Sequence, residues 1–302
     1  MNPAVAQSLP IISLAVVGFL LKQVGLIRPG DGQVMARLIV NTTLPAIIFL
    51  SVARANVTPA RLAILALCGI LVSLGLRVAA GWWANHLKLE RPVAGVMVLA
   101  SMVINVGFFL FPIFQTVYGQ EGISRLAAFD VGNSLIANSY GYYLASCYGD
   151  KPPWGFQHSL KRVLSLPVLW AGLAGLAVNL SGVSLPSFLV KLLEPLGAAN
   201  TPLAMLTLGS FLQLSYPNWK PMALTVALRM GLGFCLGQAL VLLAHLEGLE
   251  RAAVSMAAGM PIGLVVLVYA AMEGMDAEFA AGTISLSILA GLFVTPILLS
   301  LY

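Results

Sequence analysis

The chain has 302 residues, of which 59% are hydrophobic and only 9% are charged, and its formal net charge is +5. Because soluble proteins carry roughly 25% charged residues, this composition excludes an ordinary water-soluble domain and predicts a protein whose solvent is lipid. Most basic residues stand singly at the ends of apolar segments, which excludes a nucleic-acid-binding patch and makes them signals of membrane topology.

The first apolar segment carries no charge from Asn2 to Leu21 and is followed by Lys22. A secretory signal would have a basic start and a small-residue cleavage site. The segment is therefore predicted to be a retained first membrane span with its N-terminus outside.

The rest of the chain also contains apolar segments of membrane-spanning length. Uncharged runs of about 20 residues, long enough to cross a hydrocarbon core, recur along the chain. They predict ten spans, near residues 4–27, 34–52, 61–83, 92–118, 123–148, 164–180, 187–212, 221–245, 252–273 and 277–301.

Spans four and nine each contain a proline deep in an apolar run. Span four holds the stretch 105–112 (Asn-Val-Gly-Phe-Phe-Leu-Phe-Pro), and span nine holds 259–263 (Gly-Met-Pro-Ile-Gly). Such a proline removes a backbone hydrogen bond and clashes with the preceding turn. In lipid, the freed backbone groups must find protein, water or a ligand. Two interruptions in corresponding places indicate the substrate site of a secondary transporter.

The chain also resembles itself at an offset of 157 residues. The matches are Leu9-Pro10 with Leu166-Pro167, Gly18 with Gly175, Gly25 with Gly182, Pro29 with Pro186 and Pro45 with Pro202. At the breaks we expect the offset to shrink to 149, since Pro112 then meets Pro261. Each half would hold five spans, an odd number, so the second half is predicted to be an inverted repeat of the first.

The predicted organisation is one membrane domain over residues 1–302. It has a first repeat at 1–148, a cytoplasmic connection at 149–163 and a second repeat at 164–302. With the N-terminus outside, nine basic residues fall on the inner side and five on the outer side, which supports this orientation. The inner ones are Lys22, Arg28, Arg37, Lys88, Arg91, Lys151, Lys161, Arg162 and Lys220, and the outer ones are Arg54, Arg61, Arg125, Lys191 and Arg251.

The ten spans, the two breaks and the stretch 41–46 (Asn-Thr-Thr-Leu-Pro-Ala) together resemble the auxin efflux carrier family, which is similar in architecture to bile acid/sodium symporters. The short connection between spans five and six is more like the prokaryotic members. The resemblance implies a scaffold of spans one, two, six and seven, and a mobile transport domain of spans three to five and eight to ten. It also implies an organic-anion substrate, an elevator-type alternating-access mechanism and a homodimer formed through the scaffold.

Candidate substrate-binding residues lie on the two breaks and on the stretch in span two. They are Asn105, Gly107, Phe108, Pro112, Gly259, Met260, Pro261, Gly263, Asn41, Thr43 and Pro45. The amide of Asn105 can contact a substrate carboxylate, cap the half-helix that follows, or do both. The two prolines free backbone groups and aim half-helix N-termini at an anion. The glycines let the crossing backbones approach or serve in helix packing.

Five further polar residues inside spans are candidates for a coupling site or a buried polar cluster: Asp130, Asn133, Asn138, Arg77 and Arg229. A carboxylate within an apolar helix usually marks a pathway or a buried pair. Asp130 is therefore either a proton- or cation-coupling site or the partner of Arg77 or Arg229. Arg229 alternatively attracts the anionic substrate or snorkels to the cytoplasmic surface.

The sequence predicts no catalytic residues, metal site or cofactor. Its three cysteines, Cys68, Cys147 and Cys235, fall inside apolar segments, and its histidines lack metal-ligand spacing. The leading hypothesis is a multi-pass carrier of the plasma membrane, or of the inner membrane in a bacterium, that moves a small organic anion such as an auxin-like acid or a dicarboxylate. The alternatives are a sodium-coupled bile-acid-type symporter and, from another class, an intramembrane enzyme.

Overall fold

The structure, a computed structural model, describes residues 3–28, 30–150, 161, 163–213 and 219–302. Most of the predicted cytoplasmic connection at 149–163 lies outside these residues, as does Pro29 of the self-alignment. Within the described residues the regular elements are all helical, as the apolar runs predict, and two positions, Ile104 and Ile262, form an isolated antiparallel bridge.

The first half of the chain is built from five helical units, the fourth of which is broken. They are α1 (Pro3–Gln23), α2 (Asp31–Ala53), α3 (Pro59–His86), α4a (Arg91–Met102) with α4b (Val106–Val117), and α5 (119–148). Single π-helical turns interrupt three of these units, at Ile39–Thr43 in α2, Val106–Leu110 in α4b and Ala137–Gly141 in α5.

The second half repeats this series among the described residues. Its units are α6 (Pro167–Ser181), α7 (Ser187–Phe211), α8 (Trp219–Leu243), α9a (Gly248–Ala258) with α9b (Val265–Glu273), and α10 (Ala277–Leu299). A π-helical turn lies at Ala227–Leu232 in α8. The helix that the sequence predicts as span nine is therefore broken after Ala258, as span four is after Met102.

Local signals in the sequence explain where several helices begin and end. The Thr58 side chain accepts a hydrogen bond from the backbone N–H of Arg61 at the start of α3, and Asp276 accepts from Phe279 at the start of α10. Both are N-cap residue types. Helix α9b ends at Glu273, and the φ of 76° at the following residue, Gly274, suits glycine because it has no Cβ.

Five of the described helices are long and apolar enough to cross a membrane: α1, α2, α3, α8 and α10. The half-helices α4a and α4b and the 15-residue α6 are shorter apolar helices. A chain with this set of helices is consistent with several membrane crossings.

Two glycines allow close packing between helices of the two halves, one at Gly18 and one at Gly175. A Cβ added to Gly18 of α1 would lie 2.2 Å from the carbonyl oxygen of Leu206 on α7. A Cβ added to Gly175 of α6 would lie 2.8 Å from the carbonyl oxygen of Phe49 on α2. Gly175 follows Gly18 by 157 residues, and Leu206 follows Phe49 by the same 157. The packing of α1 on α7 therefore repeats as the packing of α6 on α2.

The offset of 149 expected at the breaks is wrong. Ile104 pairs with Ile262, which lies 158 residues later, and α10 begins 158 residues after α5 at Gly119. The match of Pro112 with Pro261 gave a wrong alignment because the two prolines occupy different positions relative to the breaks. Pro261 lies in a break, whereas Pro112 follows the π-helical turn inside α4b. At these two places the offset is 158, close to the 157 of the matches earlier in the chain.

We expect Gly18→Ala to destabilise the protein by about 1–3 kcal/mol, since the new methyl group would force α1 away from the Leu206 carbonyl. The melting temperature measured by differential scanning fluorimetry in detergent should fall. Gly81→Ala is the matched control, because no atom lies within 4 Å of a Cβ built on this helical glycine of α3. Equal melting temperatures for the two variants would contradict the close packing of α1 on α7.

Candidate functional site

The two breaks cross each other and pair through their backbones. The N–H of Asn105 donates to the carbonyl oxygen of Pro261 at 2.9 Å, and the N–H of Gly263 donates to the carbonyl oxygen of Val103 at 3.0 Å. The two bonds flank the Ile104–Ile262 bridge in the manner of a small antiparallel ladder. The crossing therefore satisfies part of the backbone that each break frees, and it places four half-helix ends around one point.

The last helix of each half supplies a polar side chain to the crossing. The N–H of Ile104 donates to Oδ1 of Asn133 on α5 at 3.3 Å, and the N–H of Ile262 donates to Oγ of Ser287 on α10 at 3.1 Å. All four residues are buried. Because a buried N–H without a partner is costly, these two side chains stabilise the broken conformation of the backbone.

The two polar atoms of the Asn105 side chain differ in their hydrogen bonding among the described residues. Its Oδ1 accepts a hydrogen bond from the N–H of Phe108 at 3.3 Å, which is the capping contact that the sequence suggests. Its Nδ2 is buried and has no hydrogen-bond partner among the described residues. The side chain is only 2% exposed. A buried amide donor left without a partner costs free energy, so this atom is suited to bind a ligand acceptor.

Arg229 reaches the crossing from α8 and is fully buried there. Its Nη1 donates to the carbonyl oxygen of Ser101 at 3.0 Å, near the end of α4a. Its Nε donates to the carbonyl oxygen of Met260 at 3.3 Å, and its Nη2 donates to that of Ala258, the last residue of α9a. The snorkelling interpretation of Arg229 is therefore wrong, because its guanidinium is directed to freed carbonyls rather than to the membrane surface.

Asp130 belongs to a polar network on α5 that touches the first break. Its Oδ1 accepts hydrogen bonds from Nδ2 of Asn133 at 3.2 Å and from the hydroxyl of Ser134 at 3.4 Å. Asn133 in turn accepts from the hydroxyl of Ser73 on α3 at 3.3 Å. Asn133 thus connects the carboxylate to the backbone of the break at Ile104.

The alternative in which Asp130 forms an ion pair with Arg77 or Arg229 is wrong. Across the part of the chain that the structure describes, no ion pair joins these residues, and the partners of Asp130 are neutral. The guanidinium of Arg77 lies 5.9 Å from the centre of the Tyr140 ring.

Asn138, the other polar candidate of α5, is turned toward the second half of the chain. Its Nδ2 donates to the Ser134 carbonyl at 2.9 Å, and its Oδ1 accepts from the hydroxyl of Tyr269 on α9b at 3.0 Å. Asn138 therefore joins α5 to the half-helix that follows the second break.

The remaining candidates on the breaks are apolar or backbone groups. A Cβ on Gly263 would lie 2.8 Å from Val103 Cγ1 and 3.0 Å from the Ile104 carbonyl, so the absence of a side chain allows the backbones to meet. A Cβ on Gly107 would lie 3.4 Å from a methyl group of Leu44. The residues Gly259, Met260, Pro261 and Pro112 are buried, whereas Gly107 and Phe108 are half-buried.

The stretch of span two contributes one residue to a buried contact between the halves. The hydroxyl of Thr43 donates to Oδ1 of Asn200 on α7 at 3.1 Å. Asn41 is exposed and donates to the Arg37 carbonyl, and Pro45 is half-buried in α2. Sequence reasoning missed Asn200, whose Nδ2 is also buried without a partner among the described residues. The signal was available, because Asn200 follows Thr43 by 157 residues, the offset of the predicted self-alignment.

Several of the candidate residues, polar and apolar, lie on the four π-helical turns of the described chain. Thr43 lies on the turn in α2, Asn138 on that in α5 and Arg229 on that in α8, while Gly107 and Phe108 lie on that in α4b. Such turns widen a helix locally and are frequent at functional sites. The pattern was invisible in the sequence, because these turns have no simple residue signature.

A cavity of about 250 Å³ lies between α2, α4b, α5 and α7. Its polar lining includes Ser51, Gln115 and Glu194, and the buried hydroxyl of Ser51 has no hydrogen-bond partner among the described residues. Gln115 on α4b donates to the Gly197 carbonyl and accepts from Thr201, both on α7. Among the described residues, no group of three or more His, Cys, Asp and Glu side chains could hold a metal ion.

Comparison with known proteins matches the chain to one family of membrane transport proteins and to two relatives named as transporters. A family model described as membrane transport protein matches residues 3–151 and 156–299. An uncharacterized transporter of Methanothermobacter thermautotrophicus is 26% identical over 294 residues, which cover 96% of this chain and 95% of the relative. An uncharacterized transporter of Methanocaldococcus jannaschii is also 26% identical, over 299 residues that cover 91% of each chain. Both relatives are named as transporters.

Proposed function

Because the chain belongs to the membrane transport protein family, the auxin efflux carrier family, it is a membrane-embedded transporter rather than an enzyme, and we propose that it moves a small organic anion by alternating access. The observation that carries the proposal is the crossing of the two breaks, beside which the Nδ2 atom of Asn105 has no hydrogen-bond partner among the described residues. The substrate class is a carboxylate, such as an auxin-like acid or a dicarboxylate.

The proposed architecture is ten spans arranged as two inverted five-span repeats, 1–148 and 164–302, joined by the connection at 149–163. The equal offsets of the Gly18 and Gly175 contacts support it, as does the Thr43–Asn200 hydrogen bond between residues one offset apart. The symmetric bonds at the crossing support it as well. Since each repeat would have an odd number of spans, the two repeats would have opposite orientations in the membrane, with the N-terminus outside.

The proposed substrate site lies at the crossing, near the middle of the membrane. The N-terminal ends of α4b and α9b carry partial positive charge, since their first amides lack partners of the regular helical kind. Of these amides, those of Phe108, Val266 and Leu267 donate to residues just before the helices. Helix N-termini of this kind bind carboxylates. Asn105 adds a side-chain donor at the start of α4b, and the guanidinium of Arg229 adds a formal positive charge. The site would therefore favour an anion over a neutral or cationic substrate.

The proposed motion is that of an elevator, in which spans three to five and eight to ten move against a scaffold of spans one, two, six and seven. The paired packing of α1 on α7 and of α6 on α2 supports a rigid scaffold. The 250 Å³ cavity lies between the proposed scaffold and the proposed moving part, since α2 and α7 line it together with α4b and α5. The incomplete packing there supports an interface along which the two parts can slide. The family resemblance implies a homodimer through the scaffold.

Uptake by proteoliposomes tests the proposed function. Purified protein reconstituted with an internal carboxylate should exchange it for an external labelled carboxylate, with uptake that saturates. A panel of mono- and dicarboxylates, with a neutral amide analogue of each as the matched control, would define the substrate class. Chemical conversion of the compounds without exchange, or conductance that never saturates, would contradict a carrier.

Pro261→Ala is expected to reduce this uptake by about tenfold or more, the equivalent of one lost charge-assisted contact. Alanine would let α9a continue through the break, and the Pro261 carbonyl would then withdraw from Asn105. Pro112→Ala is the matched variant, and its loss should be much smaller because Pro112 lies inside α4b. Equal losses for the two variants, with normal membrane insertion of both, would contradict a special role for Pro261.

A further inference from the structure

The crossing brings together two helix ends of negative character. Helices α4a and α9a both end at the crossing, and the carbonyl groups of the last turn of a helix lack partners within that helix. These ends together carry partial negative charge. In carriers with broken helices, such carbonyl groups are the usual ligands of a coupling cation. The occupant of these carbonyls therefore bears on which ion, if any, drives transport.

In this protein the carbonyls are occupied by a side chain of the protein itself. The guanidinium of Arg229 donates to the Ser101 carbonyl from α4a and to the Ala258 and Met260 carbonyls from α9a and the break that follows it. One side chain thus serves the C-terminal ends of both half-helices. Because arginine is not deprotonated in proteins, the group is a permanent cation.

No carboxylate neutralises this cation within the part of the chain that the structure describes. The three ion pairs found there involve Arg54, Arg61 and Arg125, and Arg229 is in none of them. The side chain is fully buried, although a buried charge in a membrane is costly unless it is paired or serves a function. The C-terminal ends of α4a and α9a, at about −0.5 elementary charge each, offset the guanidinium. The N-terminal ends of α4b and α9b carry partial positive charge, so an excess of positive charge remains at the crossing.

The packing around Arg229 is built to admit it. A Cβ on Gly233, one turn further along α8, would lie 2.3 Å from the Ala258 carbonyl oxygen and 2.9 Å from Nη2 of Arg229. Glycine at this position therefore lets α8 approach α9a closely enough for the guanidinium to reach the carbonyls. The first half has no equivalent cation, because the residue 158 positions before Arg229 is Leu71, which is 43% exposed.

We infer that Arg229 is a tethered cation that fills the carbonyl site where a carrier with crossed half-helices would otherwise bind a free coupling cation. The crossing then needs no sodium ion, and the positive charge that attracts the substrate belongs to the chain. The occupancy of the carbonyl site stands by itself; only its consequence for transport rests on the proposed function.

The first test removes the tethered cation and offers a free one. Arg229→Ala should create a site for a small cation, so about 10 mM methylguanidinium should raise its melting temperature by about 2–4 °C relative to choline at equal ionic strength. The wild-type protein should show no such rise. Arg77→Ala is the matched control, because Arg77 lies within a helix but its guanidinium faces Tyr140. An equal response in Arg77→Ala, or no response in Arg229→Ala, would overturn the inference.

A second pair of variants separates the charge from the hydrogen bonds and covers the case in which Arg229→Ala does not fold. Arg229→Lys keeps the positive charge, whereas Arg229→Gln keeps amide donors for the carbonyls but is neutral. A tethered cation predicts that the lysine variant retains at least about tenfold more carboxylate uptake than the glutamine variant, since a charge-assisted contact is lost only in the latter. Equal uptake by the two variants would overturn the inference, because Arg229 would then serve only as a hydrogen-bond donor to the carbonyls and not as a charge.

The third test uses the wild-type carrier alone. Its carboxylate uptake should be the same in sodium chloride and in choline chloride, and a strict requirement for sodium would overturn the inference. If the protein moved no carboxylate at all, the proposed function would fail. The methylguanidinium response of Arg229→Ala would still report on the carbonyl site, because that measurement needs no substrate.

Discussion

Replacing Asn105 by alanine is expected to weaken carboxylate uptake by about tenfold or more, because one charge-assisted hydrogen bond contributes roughly 1.5–3 kcal/mol. The Nδ2 atom of Asn105 is a buried donor without a partner among the described residues, at the start of α4b, where an anion would meet the helix N-terminus. The measurement is the concentration dependence of labelled carboxylate uptake by proteoliposomes. Near-normal affinity in a folded variant would remove Asn105 from the site.

Asn105→Asp separates ligand binding from capping. The carboxylate of aspartate can still accept the hydrogen bond from Phe108, and aspartate is as good an N-cap residue as asparagine. It has no donor, however, and it would bring a negative charge toward an anionic substrate. We expect the aspartate variant to remain folded and to lose more uptake than the alanine variant. If the aspartate variant transported normally and only the alanine variant failed, Asn105 would be a cap alone.

Asp130→Asn is expected to abolish the pH dependence of uptake while leaving anion binding measurable. A buried carboxylate without a cationic partner is the kind of group that proton-coupled carriers use, and we propose that Asp130 carries a proton in the transport cycle. Asparagine keeps the size of the side chain and an acceptor for Asn133 and Ser134, but it cannot titrate. Uptake should therefore become independent of pH, with little change in melting temperature.

The matched control is Asp276→Asn. Asp276 accepts a hydrogen bond from Phe279 at the start of α10 and lies outside the network of Asp130. This variant should keep the pH dependence of the wild-type carrier. If Asp130→Asn also kept normal pH dependence, Asp130 would carry no proton in transport. Its role would then be to position Asn133, which accepts the hydrogen bond from the Ile104 N–H. A large loss of stability in Asp130→Asn would instead indicate that the network needs the charge.

The sequence predicted the helical class and the breaks because both follow from local chemistry. Uncharged apolar runs must form hydrogen-bonded helices in lipid, and a proline within such a run removes a backbone hydrogen bond and favours an interruption. Prolines inside α1, α7 and α10 nevertheless leave those helices unbroken, and the break of span four follows Met102 rather than Pro112. The break after Ala258 follows from Pro261 in this way. The sequence also offered capping of a half-helix as one of the two roles of Asn105, and the hydrogen bond from the N–H of Phe108 to its side chain confirms that role.

The alignment of the two halves shows where a local signal misled. Pro112 and Pro261 are the same residue type in similar surroundings, and matching them gave an offset of 149. The tertiary structure pairs Ile104 with Ile262 instead, at an offset of 158. An apolar helix uses so few residue types that a single proline match weighs little. The backbone pairing is decided by which peptide groups can meet across the crossing.

The sequence by itself determined that the chain is a helical membrane protein with two broken helices, and it identified the polar residues that such a protein must accommodate. Only the tertiary structure decided what those residues do. It directed Arg229 to carbonyls on two other half-helices and gave Asp130 neutral partners. It also left the amide nitrogen of Asn105 without a hydrogen-bond partner in the part of the chain that the structure describes. The physical reason is that helix periodicity and proline act over one or two turns, whereas hydrogen-bond partners in a membrane core come from segments more than a hundred residues away, as Ser101 does for Arg229.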